Sequence, residues 1–467
     1  MLLHHSPIPL VFIALIQHHN SSLAQGSTQP KLVEQPRGSS FELTCISERS
    51  LTNVMRDTNR SCPINDEFQS FSGQGPQFRS DGLVYKFDAV TVKPIRKSPD
   101  DEKSDDLHGF VQQRCYRDEI ETTNEPVCVY LNSGFNHGRG MVIVSRRSVL
   151  EGIVERIFKP ESMLAKDFNR NPGSFNVIDM PEKGGKGIIA SQKSHVGDLV
   201  LTTYPVLIIT FEAGLWNHPQ AFDLEKTMVD YLPLETRAEI ATLHGEGDTE
   251  ASWMVSAIQR NSFQLMLEGE PYVALFLDAS RANHDCRPNV VYHTDGATLK
   301  LNMYAVREIE VGEELVAAYL NIQQPTETRR AYLRQHYGFE CQCSVCSLPE
   351  HLIELSDSRL KQIGELSEAL SDWTSTSIAD TSMAENLLEL YKLERLEIYM
   401  ADAYATAAAR YNSIKDCDKA RIYASLASSR DIRLRGAGSE YLEDMISLRD
   451  SPEAHWTYDH RNKQDMH

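Results

Sequence analysis

No stretch of this 467-residue chain stays apolar long enough to cross a bilayer. The longest such run, Ile8–Ile16, is about half of the roughly 20 residues that a spanning helix needs. Basic residues are in deficit: 47 Lys and Arg stand against 66 Asp and Glu, a net charge of −19. That excludes general binding to nucleic acid or to anionic membranes, which requires a basic face. Only 25 Gly and 20 Pro leave no room for a collagen-like chain. With 41% hydrophobic and 24% charged residues, the composition is that of a globular protein, neither disordered nor polytopic. At roughly 150 residues per domain, the length allows two to four domains.

The run Ile8–Ile16 suits the apolar region of a secretory leader, with Ser22-Leu-Ala24 as a small-x-small cleavage pattern. Its flanks carry histidines where Lys or Arg is usual. Cys45, Cys62, Cys115 and Cys128 form an even set that fits two disulfides in an oxidising compartment. Asn59-Arg-Ser61 is a short glycosylation pattern in the same stretch. Residues 25–40 read as a linker, and 98–106 as a charged, solvated loop.

Strand-like runs appear at Gly82–Val92, Cys128–Leu131 and Met141–Val144, and more densely from Phe175 onward. These later runs are Gly187–Ala190, Leu199–Phe211, Val290–His293, Leu299–Val306 and Glu314–Leu320. A polar, helix-like insert lies between Trp216 and Gly269. Thr326–His336 predicts a helix capped by Thr326. Beyond Leu348 the pattern is helical, with Leu387, Leu388, Leu390, Leu393 and Leu396 at helical spacing. Small residues and tyrosines in 404–411 and 420–427 predict close helix pairs without a clean repeat period. The polar tail after Pro452 reads as loose.

Four stretches carry chemistry: Glu182-Lys-Gly-Gly-Lys-Gly187, Asn283-His-Asp-Cys-Arg-Pro-Asn289, Gly312-Glu-Glu-Leu-Val-Ala-Ala-Tyr319 and Tyr337-Gly-Phe-Glu-Cys-Gln-Cys-Ser-Val-Cys346. Their order and spacing resemble those of the SET-domain protein lysine methyltransferases with post-SET cysteines, over about Phe175–Leu348. The helical tail is similar to that of the MYND-type SET proteins, although no MYND zinc finger is visible.

The resemblance implies that Cys341, Cys343 and Cys346 join Cys286 around a structural zinc ion. Disulfides are the other reading of these thiols, but they rarely form across such short spacings, whereas thiolate–zinc sites cluster Cys tightly. It further implies that Lys186 and Gly187, Asn283 and His284 bind S-adenosylmethionine, with Lys186 contributing its backbone. Tyr319 is the implied catalytic residue and also faces the cofactor, and Phe339 is an aromatic wall of the channel or pocket. Asp285 departs from the family's usual serine. Ala317 stands where many members carry Phe or Tyr, so the number of methyl groups transferred is not legible. Glu313 and Glu314 read as turn and strand-entry residues rather than general bases.

The expected fold is α+β. A β-rich SET fold (171–320) with a helical insert follows a leader (1–24) and a cysteine-containing N-terminal region (25–170). A zinc-bound post-SET segment (321–348) and an all-α C-terminal region (349–467) complete it. The function implied is S-adenosylmethionine-dependent methylation of an accessible lysine on a protein substrate. The competing reading is a zinc-stapled SET-like scaffold whose methyl transfer has lapsed. Neither reading calls for direct nucleic-acid binding or for a membrane span in the mature chain. The leader and N-terminal cysteines predict a secretory route, while cofactor and thiolates suit cytoplasm or nucleus.

Overall fold

The computed structural model describes residues 77–79, 82–84, 107–116, 125–157, 174–210, 221–435 and 440–461. The leader, linker, charged loop, Cys45, Cys62, Asn59 and most of the Gly82–Val92 run lie outside them. Gln77–Arg79 (β1) and Gly82–Val84 (β2) form a small hairpin. Val111–Tyr116 (β3), Val127–Asn132 (β4) and Met141–Arg146 (β5) follow, then the helix Arg147–Ile157 (α1). Next come Phe175–Met180 (β6), Gly185–Ala190 (β7), Leu199–Thr203 (β8) and Leu207–Thr210 (β9).

The insert supplies helices Ala221–Tyr231 (α2), Leu234–Ile240 (α3) and Glu250–Asn261 (α4). Its end is a hairpin rather than helix: Ser262–Leu267 (β10) pairs with Glu270–Leu275 (β11). Asn283–His284 (β12), Val290–Asp295 (β13), Lys300–Ala305 (β14) and Val316–Ala317 (β15) complete the strands. The chain then continues as helices Thr326–Tyr337 (α5), Glu350–Ser371 (α6), Thr381–Leu393 (α7), Met400–Ser413 (α8), Cys417–Arg435 (α9) and Glu440–Asp450 (α10).

A six-stranded sheet, in the order β10-β11-β9-β5-β4-β3, joins strands from both sides of residue 170. That position is therefore no break in the fold. Side chains alternate across the sheet. Val129, Val142, Val144, Ile209 and Val273 pack into one core with the insert helices. Tyr130, Ile143, Ile208 and Ala274 pack into another with β8 and β14. Burial on both faces explains why Met141–Val144 is continuously apolar. Cys115 and Cys128, register partners on β3 and β4, are joined by a disulfide.

Several expectations need correction. Leu199–Phe211 is two strands, because Pro205 has no N–H for a ladder and the chain changes sheets there. Glu314–Leu320 contributes only the two residues of β15, its neighbours serving the site. Thr326 does not cap α5: Pro325 holds the cap position, and Thr326 donates from its backbone and hydroxyl to Asp357 of α6, at 3.0 and 2.8 Å. The tail is packed as far as Arg461. Thr457 and Pro452 are buried, Asn412 bridges Pro452 O (3.0 Å) and Thr457 Oγ1 (2.8 Å), and Trp456 meets Trp373. Among the described residues no helix is long and apolar enough to cross a membrane.

Glu225 is buried in α2 with one carboxylate oxygen lacking a hydrogen-bond partner. Burial raises its pKa from an ordinary 4.5 to about 8. Between those values the unfolded chain releases this proton and the folded chain keeps it, so stability falls as pH rises. Glu225→Gln is expected to remove that slope and to stabilise the protein more at pH 8 than at pH 6. Thermal melts at the two pH values check this, and an equal shift at both contradicts it.

Candidate active site and cysteine centre

The site begins with a pairing of two short strands. Asn283 and His284 of β12 run parallel to Val316 and Ala317 of β15, in that register. Asn289 locks the pairing from a fully buried position. It donates to Glu314 O (2.7 Å) and accepts from Val316 N (2.8 Å), while its backbone N donates to Val316 O. Asp285 N donates to Ala317 O, and the Asp285 carboxylate accepts from Arg287 N at 2.7 Å. The unusual Asp285 thus forms the Asx turn that a serine hydroxyl would form more weakly. Burial raises its pKa to about 6, helped by Cys343.

The β6–β7 hairpin meets this loop at Asn283. The Asn283 amide donates to Glu314 Oε1 (2.9 Å) and to Lys186 O (3.3 Å), and its carboxamide oxygen accepts nothing among the described residues. Lys186 Nζ pairs with Asp179 at 2.6 Å, which leaves the Lys186 backbone at the loop. Glu314 also pairs with Lys183, and Glu313 with Arg307. Both glutamates hold strand entry, as expected.

Tyr319 is half-buried at the end of the β15 segment. Its hydroxyl donates to Ala282 O (2.7 Å), and its backbone N donates to His284 Nδ1 (3.1 Å). Burial holds its phenol well above the ordinary range, with Glu314 adding to the effect. The rings of Tyr319 and Tyr337 lie 4.8 Å apart, Tyr319 and His284 5.3 Å, and His284 and Phe339 6.3 Å. Phe339 therefore lies in the same aromatic cluster. Gly338, in the left-handed conformation at φ 76°, ends α5 and turns Tyr337 and Phe339 into it.

The ligating atoms of Cys286, Cys341, Cys343 and Cys346 all lie within 4.8 Å of one another, and Cys286 and Cys346 are 3.7 Å apart. A tetrahedral zinc with bonds of about 2.3 Å needs sulfurs about 3.8 Å apart. The other His284 nitrogen, Nε2, lies 3.4 Å from Cys286 Sγ. Burial holds the His284 pKa down at about 4, so the ring is neutral. Arg329 is fully buried beside the cluster. Its Nε donates to Cys286 Sγ at 3.3 Å and its other nitrogens donate to Gln324 O and Thr326 Oγ1. A buried guanidinium without a carboxylate requires another anion, and among the described residues the sulfurs are placed to be it. The donor set therefore fits a thiolate-bound metal.

The structure brings together every residue expected from sequence and adds three. Tyr337 belongs to the aromatic cluster, and its place directly before Gly338 was the available signal. Asn289 was visible as the last residue of its motif. Arg329 left no signal, being one more charged residue on a polar-looking helix.

A Cβ on Gly187 would lie 2.3 Å from Met180 Sδ and 2.9 Å from Asn283 Nδ2, whereas one on Gly185 would meet nothing within 4 Å. Gly187→Ala is expected to destabilise the fold by about 1–3 kcal/mol. Gly185→Ala is expected to stay within about 0.5 kcal/mol of the parent. Denaturant unfolding of the pair checks both.

A family profile described as SET domain matches residues 185–320. Histone-lysine N-methyltransferase set5 of Schizosaccharomyces pombe is 30% identical over 190 residues, covering 40% of this chain and 56% of that protein. N-lysine methyltransferase SMYD2 of Gallus gallus is 30% identical over 35% of this chain and 37% of its own length. Histone-lysine N-methyltransferase SMYD3 of Homo sapiens is 46% identical over 16% and 17% respectively. The chain thus spans little more than half of the first relative and less of the others. With the fold and the four motifs assembled in one place, residues 185–320 are a SET domain.

Proposed function

We propose that this protein is an S-adenosylmethionine-dependent protein lysine N-methyltransferase with one structural zinc ion. The observation that carries the reading is Tyr319. Its hydroxyl proton is committed to Ala282 O, so its oxygen lone pairs remain to accept from an amine placed among Tyr319, Tyr337 and Phe339. The names of the set5, SMYD2 and SMYD3 relatives agree with it.

Bound S-adenosylmethionine supplies an electrophilic methyl group. The residues present fit it. The hairpin at Gly184 and Gly185 borders open space, and the Asn283 carboxamide oxygen, which accepts nothing among the described residues, is available to a donor. His284 offers its backbone, since both ring nitrogens are engaged. The raised Tyr319 pKa keeps the phenol protonated at neutral pH. Tyr319 therefore orients the amine and is not its base. A lysine amine titrates near pH 10.4, and entry into a desolvated aromatic channel favours its neutral form. Cys286, Cys341, Cys343 and Cys346 would hold zinc and pin the post-SET segment to the cofactor loop. Neither nucleic acid nor membrane has a role in this reading.

Tyr319→Phe is expected to lower methyl transfer by about 10²-fold or more while leaving S-adenosylmethionine affinity within about threefold. Calorimetry and a radiolabelled-methyl assay on an accepted substrate separate these. Full transfer by the variant overturns the mechanism, and a folded, zinc-bound parent that binds no S-adenosylmethionine favours the scaffold reading.

We also propose a secretory route, supported by the leader pattern and by the Cys115–Cys128 disulfide. A non-reducing peptide map of mature protein is expected to begin at Gln25 and to contain that linked pair. An intact Met1–Ala24 segment overturns it, in favour of cytoplasm or nucleus.

A further inference from the structure

The turn that ends α7 touches both halves of the cysteine cluster. Glu394 closes the helix, with its N–H on Leu390 O, and its side chain is 2% exposed. Its carboxylate accepts from Arg287 Nη2, from Ser356 Oγ at 2.7 Å and from Arg359 Nε at 2.5 Å, and its backbone carbonyl accepts from Arg287 Nε. Arg287 directly follows Cys286 and returns Nη1 to the Cys286 carbonyl at 2.8 Å. Arg395 is the next residue of the turn, and its Nη2 donates to Ser344 Oγ at 3.1 Å. Ser344 lies between Cys343 and Cys346. Arg395 holds φ 52°, a conformation that side chains other than glycine adopt reluctantly. One turn of the helical region therefore grips the Cys286 loop with one residue and the Cys341–Cys346 segment with the next.

We infer that Glu394 and Arg395 are positioning residues, a staple from the C-terminal helices that sets the spacing of the four sulfurs and the placement of the Asn283–Asn289 loop. The staple itself consists of the bonds from Glu394 to Arg287 and from Arg395 to Ser344. Its extension to cofactor affinity rests on the function proposed above. A buried Arg287 deprived of its carboxylate stays buried only at high cost. The loop that carries it, with Asn283, His284 and Cys286, is what yields when Glu394 is changed.

The test compares the full chain with Glu394→Gln and Arg395→Gly by hydrogen exchange of residues 283–289, zinc release to a chelator, and S-adenosylmethionine calorimetry. All are run at a temperature where far-UV circular dichroism is unchanged. Glu394→Gln is expected to speed loop exchange and zinc release by about tenfold or more. Arg395→Gly is expected to speed both by about two- to fivefold without lowering Tm, because glycine suits this φ. Faster exchange confined to α6 and α7, with loop and zinc release as in the parent, overturns the inference and leaves Glu394 a brace within the helices. If Glu394→Gln does not fold, Arg395→Gly decides: parental rates in that variant overturn it. If the parent binds no S-adenosylmethionine while loop exchange in the variants accelerates, the proposed function fails and the staple stands.

Discussion

The parallel pairing of Asn283–His284 with Val316–Ala317 is the constraint from which the site is built. It places the loop that begins at Asn283 beside the segment that ends at Tyr319, although more than thirty residues separate them. A slip of one position would turn His284 away from Cys286 and Asn283 away from the hairpin at Lys186. Asn289 prevents the slip with bonds to both Glu314 and Val316. The same loop then fixes Tyr319 at two points, its backbone through His284 and its hydroxyl through Ala282. A tyrosine held at both ends loses little further freedom when it orients a ligand.

Charge is the second constraint. Two arginines, Arg287 and Arg329, are buried within reach of the Cys286 loop and face different anions. Arg329 faces sulfur. Arg287 faces Glu394, whose ionisation burial opposes and whose partners Ser356, Arg359 and Arg287 more than restore. Mutual hydrogen bonding splits the four thiols, drawing the Cys343 pKa down and pushing that of Cys286 up. The divalent ion proposed for this cluster would favour the thiolate at every position. The excess negative charge of such a centre would account for the Arg329 guanidinium buried against it.

What was legible in the sequence follows from how local its causes are. Met141–Val144 was visible as a strand because burial on both faces makes it uniformly apolar, and the motif residues were visible because their spacing is local. Thr326 misled because its partner, Asp357, comes from another helix. The tail after Pro452 is polar, yet Asn412 and Thr457 bury that polarity in hydrogen bonds. The boundary at residue 170 failed to show a break because β5 pairs with β9 across it, a contact between distant segments. Arg287 and Arg329 were the least visible. A buried arginine is recognised only once its anion is in place, and here that anion is a sulfur cluster or a carboxylate from a helix turn 107 residues away.

The helical C-terminal region looks in sequence like a separate domain appended to a complete fold, and the packing argues otherwise. Cys286, Cys341 and Cys346 share one apolar core with Leu360, Leu387 and Leu388 of α6 and α7. Arg430 of α9 donates to Val306 O beside β14, and Arg433 packs against Gly197, where no Cβ would fit. The helices thus hold the SET region at two separated places, one at the cysteine centre and one at the far strands. The outer wall of the cysteine cluster is supplied by α6 and α7. Its geometry is accordingly a property of the two regions together, which ties the loop of Asn283 and His284 to the order of helices that begin sixty residues later.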